Sequence, residues 1–428
     1  MKITYYVNTM FFLEGKNSRV LCDPWITNDN KSRSGLYNYP KLETKKEDLP
    51  KLKPDFVYIS HTHADHFDPD TLNVFNKDMP ILVSWYEHNF TEKAVKNLGF
   101  TNVQVAKKNE FLKLNADDRC WIEPSAKYSA VDSIAVFQID GTTVINVNDC
   151  GFDLKQCKAF KEKFPVIDAA CIPSGMQGPY PAFYENLSLE EKKKESDKKK
   201  YNNFMTILDY LKVLKPEYFF ALTGGAVYGG KKALLMPYTG VGTASEAQQF
   251  LEKKKFKVKP ILLSEKCSFD FKARKVSGKF IDHNHENSHE YFKEISLLQS
   301  PFEEGGNFWV SKSERIDLSA LLFNARSKQL EWQKRLKTSE LNQWLHSEFI
   351  DTKVSQKSYI STKFRYISQT KSRPPTFSLY CNTKKKLNLS KNELLAKYFD
   401  KEYFCYMTGF IAGMPFLGDI DHQLRLNR

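Results

Sequence analysis

Three histidines and an aspartate fall within six consecutive positions, His61-Thr62-His63-Ala64-Asp65-His66. In extended backbone, residues i and i+2 project to the same side, so His61 and His63 can grip one divalent ion. Asp65 and His66 lie on the turn that follows and can reach a second ion a few ångströms away. Imidazole and carboxylate together suit zinc, iron or manganese. A first-row metal with open positions can activate water or dioxygen. A lone histidine is usually structural. Three so close together, with an aspartate between them and an apolar run directly before, point to metal chemistry.

A two-metal site also needs a carboxylate that bridges. The best candidate is Asp149, which ends the run Val144 to Asn148. Asp65 and Asp149 are therefore the expected catalytic carboxylates, and His61, His63, Asp65, His66 and Asp149 the expected metal ligands. Asp132 is a weaker candidate, because it precedes a strand and could simply start a turn. Asp23 closes a strand before Pro24 and could orient a ligand histidine from behind. Tyr184 and Glu185 lie in a loop at the same expected edge and could bind substrate or complete the coordination. Elsewhere histidines carry less weight. His88 sits in a strand-to-helix loop, and His283, His285 and His289 form a polar cluster that reads as surface. His346 reads as a solvated helix residue, and His422 lies near the end of the chain.

These residues must be held by elements that the sequence announces. Lys2 to Val7 and Ser18 to Leu21 read as strands either side of a Gly-Lys-Asn turn. Phe56 to Ser60 and Ile81 to Ser84 are short apolar runs of the kind that form buried strands. Ser133 to Asp140 and Thr142 to Val147 flank an Asp-Gly turn, a strong hairpin signal. Val166 to Ile172, Tyr218 to Leu222 and Val258 to Leu263 read as further strands. Thr91 to Leu98, Leu187 to Leu214 and Ser245 to Lys254 read as helices. Strands alternating with helices imply sheets faced by helices, with chemistry on loops at the strands' carboxyl ends. From about residue 275 the composition shifts toward Lys, Ser, Gln, Trp and Glu. Leu318 to Trp344 reads there as an amphipathic helix, and Tyr359 to Tyr366 and Thr376 to Cys381 as strands. The expected division is a catalytic domain over 1–275 and an extension of unknown role over 276–428.

Composition narrows the function classes. The 428 residues carry 41% hydrophobic side chains, enough to fold without disulfide staples. The eight cysteines are scattered and include no C-x-x-C pair, which suits free thiols in a reducing compartment. No apolar run is long enough to span a bilayer and no signal peptide is evident, so a cytoplasmic location is expected. A formal charge of +13 favours an anionic small-molecule substrate such as a nucleotide sugar. The stretch Glu190 to Lys200 mixes both signs and reads as a solvated helix face. Much of the positive charge is local to such stretches, so nucleic acid is not the expected partner.

Asp23-Pro24-Trp25, His61 to Phe67 and the Asn146 to Asp149 strand end together resemble the metallo-β-lactamase superfamily. They look most like its branch with lactonase-like hydrolases and the catalytic domain of CMP-N-acetylneuraminate hydroxylase. Tyr180 to Ser188, the lysine-rich helix after it and Ala221 to Gly225 also resemble the hydroxylase, as, loosely, does Gly418 to Leu424. The resemblance covers roughly residues 20 to 240. It implies an α/β fold, an αββα sandwich with metals at one edge, followed here by a C-terminal α+β extension. It further implies one or two divalent ions, iron or zinc, and oxidative tailoring of an anionic sugar. Hydrolysis of a lactone, ester or phosphodiester is the alternative, and a non-catalytic binding module a third. Two departures matter. The hydroxylase carries a Rieske iron–sulfur module, whose paired Cys and His ligands are missing here, so an electron donor would have to be a separate protein. The superfamily also supplies two more ligand histidines, one either side of the bridging aspartate, and this chain has none between His88 and His283.

Overall fold

The computed structural model describes residues 1–298, apart from 28–31, 33–34, 87–89, 127–131, 152, 176, 179, 184–186, 223–224 and 286, and the backbone of three strands between 363 and 390. The chain opens with β1 (Lys2–Val7), β2 (Met10–Glu14) and β3 (Arg19–Cys22), an antiparallel meander. After β4 (Leu36–Tyr39) come β5 (Phe56–Ile59), β6 (Ile81–Val83) and β7 (Val103–Val105), each parallel to the strand before it in the sheet. Residues of β5 and β6 are buried throughout, as expected for parallel strands covered on both faces.

The second sheet follows. It takes β8 (Leu112–Lys113), β9 (Arg119–Pro124), β10 (Ser133–Ile139), β11 (Thr142–Asn146), β12 (Ala169–Pro173) and β13 (Tyr218–Leu222). After β14 (Gly225–Tyr228), which pairs with β4, β15 (Lys259–Pro260) completes it. The hairpin β16 (Ser268–Asp270) and β17 (Lys275–Ser277) then returns to the free side of β1. Eight strands thus form one sheet and seven the other.

The two sheets close on each other. Phe11, Leu13, Val20 and Tyr58 from the first meet Phe137, Val144, Cys171 and Phe220 from the second in one buried cluster. On the outer face of the first sheet, Leu21, Val57 and Ile81 pack against Leu72 of α1 (Pro69–Leu72) and Val95 of α2 (Phe90–Asn97). On the outer face of the second, Ile145, Ala170 and Phe219 are covered by α3 (Leu154–Lys163), α4 (Leu189–Leu214) and α5 (Ala244–Lys253). The layers are therefore helix, sheet, sheet, helix, the αββα sandwich expected from the sequence. A last helix, α6 (His289–Ser296), buries Phe292 and Ile295.

Several expectations need correction. The N-terminal pair of strands is a three-strand meander, because Met10 to Glu14 is itself a buried strand ahead of the Gly15 turn. Val258 to Leu263 contributes only the two-residue β15. The face Glu190 to Lys200 is not wholly solvated. Lys192, Glu195 and Ser196 are buried, since α4 lays that stripe against the segment around Tyr180, whose hydroxyl donates to Glu195 Oε2 at 2.5 Å. The division expected near residue 275 remains an expectation; Lys275 opens β17, which pairs with β16. The amphipathic helix expected over 318–344 lies outside the described residues. Beyond it, β18 (Lys363–Ile367), β19 (Thr376–Tyr380) and β20 (Lys386–Ser390) form an antiparallel sheet, one strand more than expected. The six described cysteines are free and buried, and no described helix is long and apolar enough to cross a membrane.

Candidate metal centre

The site grows from strand ends on both sheets. Asp23 directly follows β3 and His61 follows β5 by two residues, and these strands are parallel, so both side chains emerge at one edge. Asp132 immediately precedes β10, and Asp149 comes three residues after β11. The turn between these two strands places Asp140 at φ 49° and Gly141 at φ 73°, the left-handed pair that a two-residue hairpin turn requires. Its register sets Ile139 beside Thr142 and Ala135 beside Asn146. Asp132 and Asp149 lie beyond the last pair of this ladder, and a carboxylate oxygen of each comes 3.7 Å from His61 Nε2.

Hydrogen bonds from behind aim the histidines. Asp23 is fully buried, and its Oδ2 accepts from Thr9 Oγ1 at 3.0 Å and Ser60 Oγ at 2.7 Å and lies 2.9 Å from His66 Nδ1. Its Oδ1 accepts from the Ser60 backbone N–H at 2.7 Å. Ser60 Oγ in turn lies 2.9 Å from His61 Nδ1. With Nδ1 engaged on both rings, Nε2 of His61 and of His66 faces the site. A carboxylate behind a ligand histidine fixes its tautomer and strengthens it as a donor.

In front of the rings the groups converge. His61 Nε2 lies 2.8 Å from His63 Nδ1 and 3.7 Å from Asp132 Oδ1. It also lies 3.7 Å from Asp149 Oδ1, while Asp149 Oδ2 lies 3.4 Å from His66 Nε2. One carboxylate thus turns an oxygen to each histidine. Asp65 Oδ2 is 3.6 Å from His66 Nε2 and accepts from Asn8 Nδ2 at 3.1 Å. Two overlapping groups could hold ions: His61, His63 and Asp132 in one, His61, His66 and Asp149 in the other, each with ligand atoms within 4.8 Å of one another.

The chemistry of this donor set fits divalent cations. His66 Nε2 and Asp149 Oδ1 are buried and make no hydrogen bond to other described residues. Leaving buried polar atoms unmet costs about 1–3 kcal/mol each, a cost that coordination would remove. The charge balance points the same way. Burial works against the Asp65 carboxylate, yet the His66 and His63 imidazoles hold its pKa down to about 2. Burial also disfavours a charged His66, but Asp149, Asp65 and Asp23 push it well above the usual histidine range. A buried cluster that draws protons so strongly is one whose negative charge a cation would neutralise.

A second network ties the two sheet edges. Ser133 Oγ donates to the Ser60 carbonyl at 2.7 Å, and the Tyr58 hydroxyl lies 2.8 Å from the same Oγ. Asn148 Nδ2 donates to the Ser133 carbonyl at 2.6 Å. Ser60 precedes His61 and Asn148 precedes Asp149, so these bonds set the spacing between the metal-facing groups of opposite sheets.

Of the residues expected from the sequence, His61, His63, Asp65, His66 and Asp149 are brought together. Tyr184 and Glu185 lie outside the described residues, as do His88, His346 and His422. His283 and His285 lie elsewhere, on a separate cavity. Asp132 is closer to the centre than its sequence context suggested, and the Asp-Gly turn is the signal that places it there.

Residues 2–182 match the beta-lactamase superfamily domain. This domain belongs to the metallo-β-lactamase superfamily. Among curated proteins, the chain is similar to the cytidine monophosphate-N-acetylneuraminic acid hydroxylase of Danio rerio, 28% identical over 159 residues, covering 35% of this chain and 25% of that one. Among solved structures it is similar to an isothiocyanate hydrolase from Delia radicum gut bacteria, with a TM-score of 0.47, 17% identity, and coverage of 63% of this chain and 99% of that one. Residues 335–409 match a different family, the KH-domain-like C-terminal domain of EngA bacterial GTPases. Correspondingly, the chain is similar to GTPase Der of Orientia tsutsugamushi (strain Ikeda), 33% identical over 131 residues, 29% of this chain and 28% of that one. The chain spans about a quarter of the length of these two curated relatives. The second match falls within 276–428, the extension whose role the sequence motifs left open.

Proposed function

We propose that the metallo-β-lactamase-fold domain is a two-metal oxidative enzyme acting on an anionic small molecule, with a nucleotide sugar as the favoured substrate class. The catalytic unit is proposed to run through α6, since β17 pairs within the first sheet. His61, His63 and Asp132 would hold one ion and Asp65 and His66 the other, with Asp149 between them. Ions held there would supply open positions at which water or dioxygen is activated. Asp23 and Ser60 would keep Nε2 of His66 and His61 deprotonated and pointed inward. Tyr184 and Glu185 are retained as proposed substrate contacts.

One observation carries this reading. A carboxylate, Asp132, stands beside His61 and His63, so that three histidines and three carboxylates surround the centre. Oxygen-rich sets of this kind favour iron or manganese relative to the nitrogen-rich sets that suit zinc. The similarity to hydroxylases agrees with it. Elemental analysis of protein purified without added metal tests the proposal, together with turnover under air and under strict anaerobiosis. Iron, with turnover that needs dioxygen and a separate reductant protein, is expected. Bound zinc with unchanged anaerobic turnover would make the enzyme a hydrolase of an ester, lactone or phosphodiester.

A second reading concerns the other end of the chain. Residues 352–392 contain ten Lys and Arg and no Asp or Glu, and the β18–β20 sheet lies within them. We propose that this KH-domain-like part contacts a polyanion such as RNA. Binding of the full chain to a single-stranded RNA should weaken steeply with salt, since each phosphate contact releases counterions. Salt-independent binding, or none at low salt, would refute it.

A further inference from the structure

A cavity of about 510 Å³ opens between the first half of α4, the segment 237–243 and the loop 282–285. None of the candidate metal ligands lines it. Its size falls within the range of small-molecule sites. We propose that this cavity binds a neutral, hydroxyl-rich ligand, a sugar ring, separately from the metal centre.

Most charged groups around the cavity are already committed to partners or to water. The deeper charges are paired with each other: Lys200 Nζ meets Glu246 Oε1 at 2.6 Å. Nearer the surface, exposed Lys193 is paired with Asp197 at 3.0 Å. The remaining acids, Glu190 and Asp282, are exposed at the rim, where water screens them. A ligand with a fixed charge would find no uncommitted counter-charge at the floor.

The uncommitted groups are of another kind. Ser196 is only 3% exposed, lines the cavity, and its hydroxyl bonds to no other described residue. Tyr238, His283 and His285 line the same space with no hydrogen bond from their side chains to other described residues. Hydroxyls and neutral imidazoles each donate and accept. Burial lowers the pKa of both histidines, and with Lys200 nearby that of His285 falls to about 4, so both rings are neutral at pH 7. Sugar hydroxyls also donate and accept, and a ring's C–H face suits an aromatic wall, which Tyr39 and Tyr238 provide. Four amphoteric groups beside aromatic rings therefore match a carbohydrate better than an anion or an apolar body.

The test uses the full chain with glucose, galactose and N-acetylglucosamine, and inorganic phosphate as the anionic probe, by saturation-transfer NMR and calorimetry. At least one sugar is expected to bind, and to bind tighter than phosphate. Ser196→Ala and Tyr238→Phe, each removing one hydroxyl, are expected to weaken binding about tenfold, roughly one buried hydrogen bond. Both variants are checked by thermal melting, so that either alone suffices if the other misfolds. EDTA is expected to leave sugar binding unchanged. No binding by any of the sugars, preference for phosphate, or wild-type affinity in a folded variant would overturn the proposal. Loss of binding on EDTA treatment would move the sugar to the metal centre and overturn it too, while leaving the two-metal reading intact.

Discussion

Replacing Asp23 by Asn probes the metal centre without touching a proposed ligand. The native carboxylate accepts from Ser60 N, Ser60 Oγ and Thr9 Oγ1 and holds His66 Nδ1 at 2.9 Å. Asparagine keeps one accepting oxygen. If that oxygen stays on Ser60 N, the new amide group occupies the place where the other three partners converge. Hydroxyls of Thr9 and Ser60 can rotate to accept from it. His66 can accept only by shifting its proton from Nδ1 to Nε2, which removes the lone pair facing Asp149. Losing such an orienting partner typically costs about 10–100-fold in metal affinity. That is about 1.4–2.7 kcal/mol. Competition with a chromophoric chelator measures it, and the expected loss is confined to one of two sites. Thr9→Val, which removes a donor to Asp23 but leaves the tautomer alone, should change affinity much less. A folded Asp23→Asn protein with wild-type affinity at both sites would show that His66 Nε2 is not held ready for metal by this carboxylate.

Other perturbations separate the remaining roles. Asp132→Ala should lose one ion per chain and Asp149→Ala one or both, read by mass spectrometry of metal content; full loading of both variants would refute the ligand assignment. Lowering pH from 6.5 toward 4 should destabilise the fold through His285. Its folded pKa of about 4 lies below the unfolded value, so the unfolded chain takes up the proton first and the stability present above pH 6.5 is lost as pH falls. The loss is at most about 3 kcal/mol by linkage, and His285→Gln should flatten that part of the denaturation profile. Gly242→Ala would bring a methyl to 2.3 Å from the Phe204 ring, and overpacking of this kind costs about 1–3 kcal/mol, visible as a lower melting temperature.

Much of the catalytic layer was legible because short-range rules dictate it. The apolar runs before His61 and around Tyr218 can only be buried strands, and the Asp-Gly turn fixes the β10–β11 register. That register already contained Asp132. Counting outward from Asp140-Gly141 brings positions 132 and 149 to the same end of the hairpin, which the reading of Asp132 as the start of a turn passed over. The burial of Lys192, Glu195 and Ser196 was not legible, because the helix pattern marks Glu190 to Lys200 as polar and only packing against Tyr180 hides it. Likewise His283 and His285 look like surface residues until the loop is folded over α4. Asp23 was readable as a partner for a histidine, but which histidine depends on β3 and β5 lying side by side.

The metal-facing groups come from opposite layers, His61 to His66 from the end of the first sheet and Asp132 and Asp149 from the second. An ion between them is therefore a rivet across the sandwich. Nothing of this kind exists in the unfolded chain, so occupancy adds to the stability of the fold by mass action, about 2.7 kcal/mol when the metal is at a hundred times its dissociation constant. The same rivet gives the sandwich a direction in which to open. Stripped of metal, the site edge relies on the bonds among Tyr58, Ser60, Ser133 and Asn148 and on the His61 and His66 contacts with Asp132 and Asp149, while the interior between the sheets keeps its apolar packing. Metal supply would then govern how long the protein survives as well as what it can catalyse.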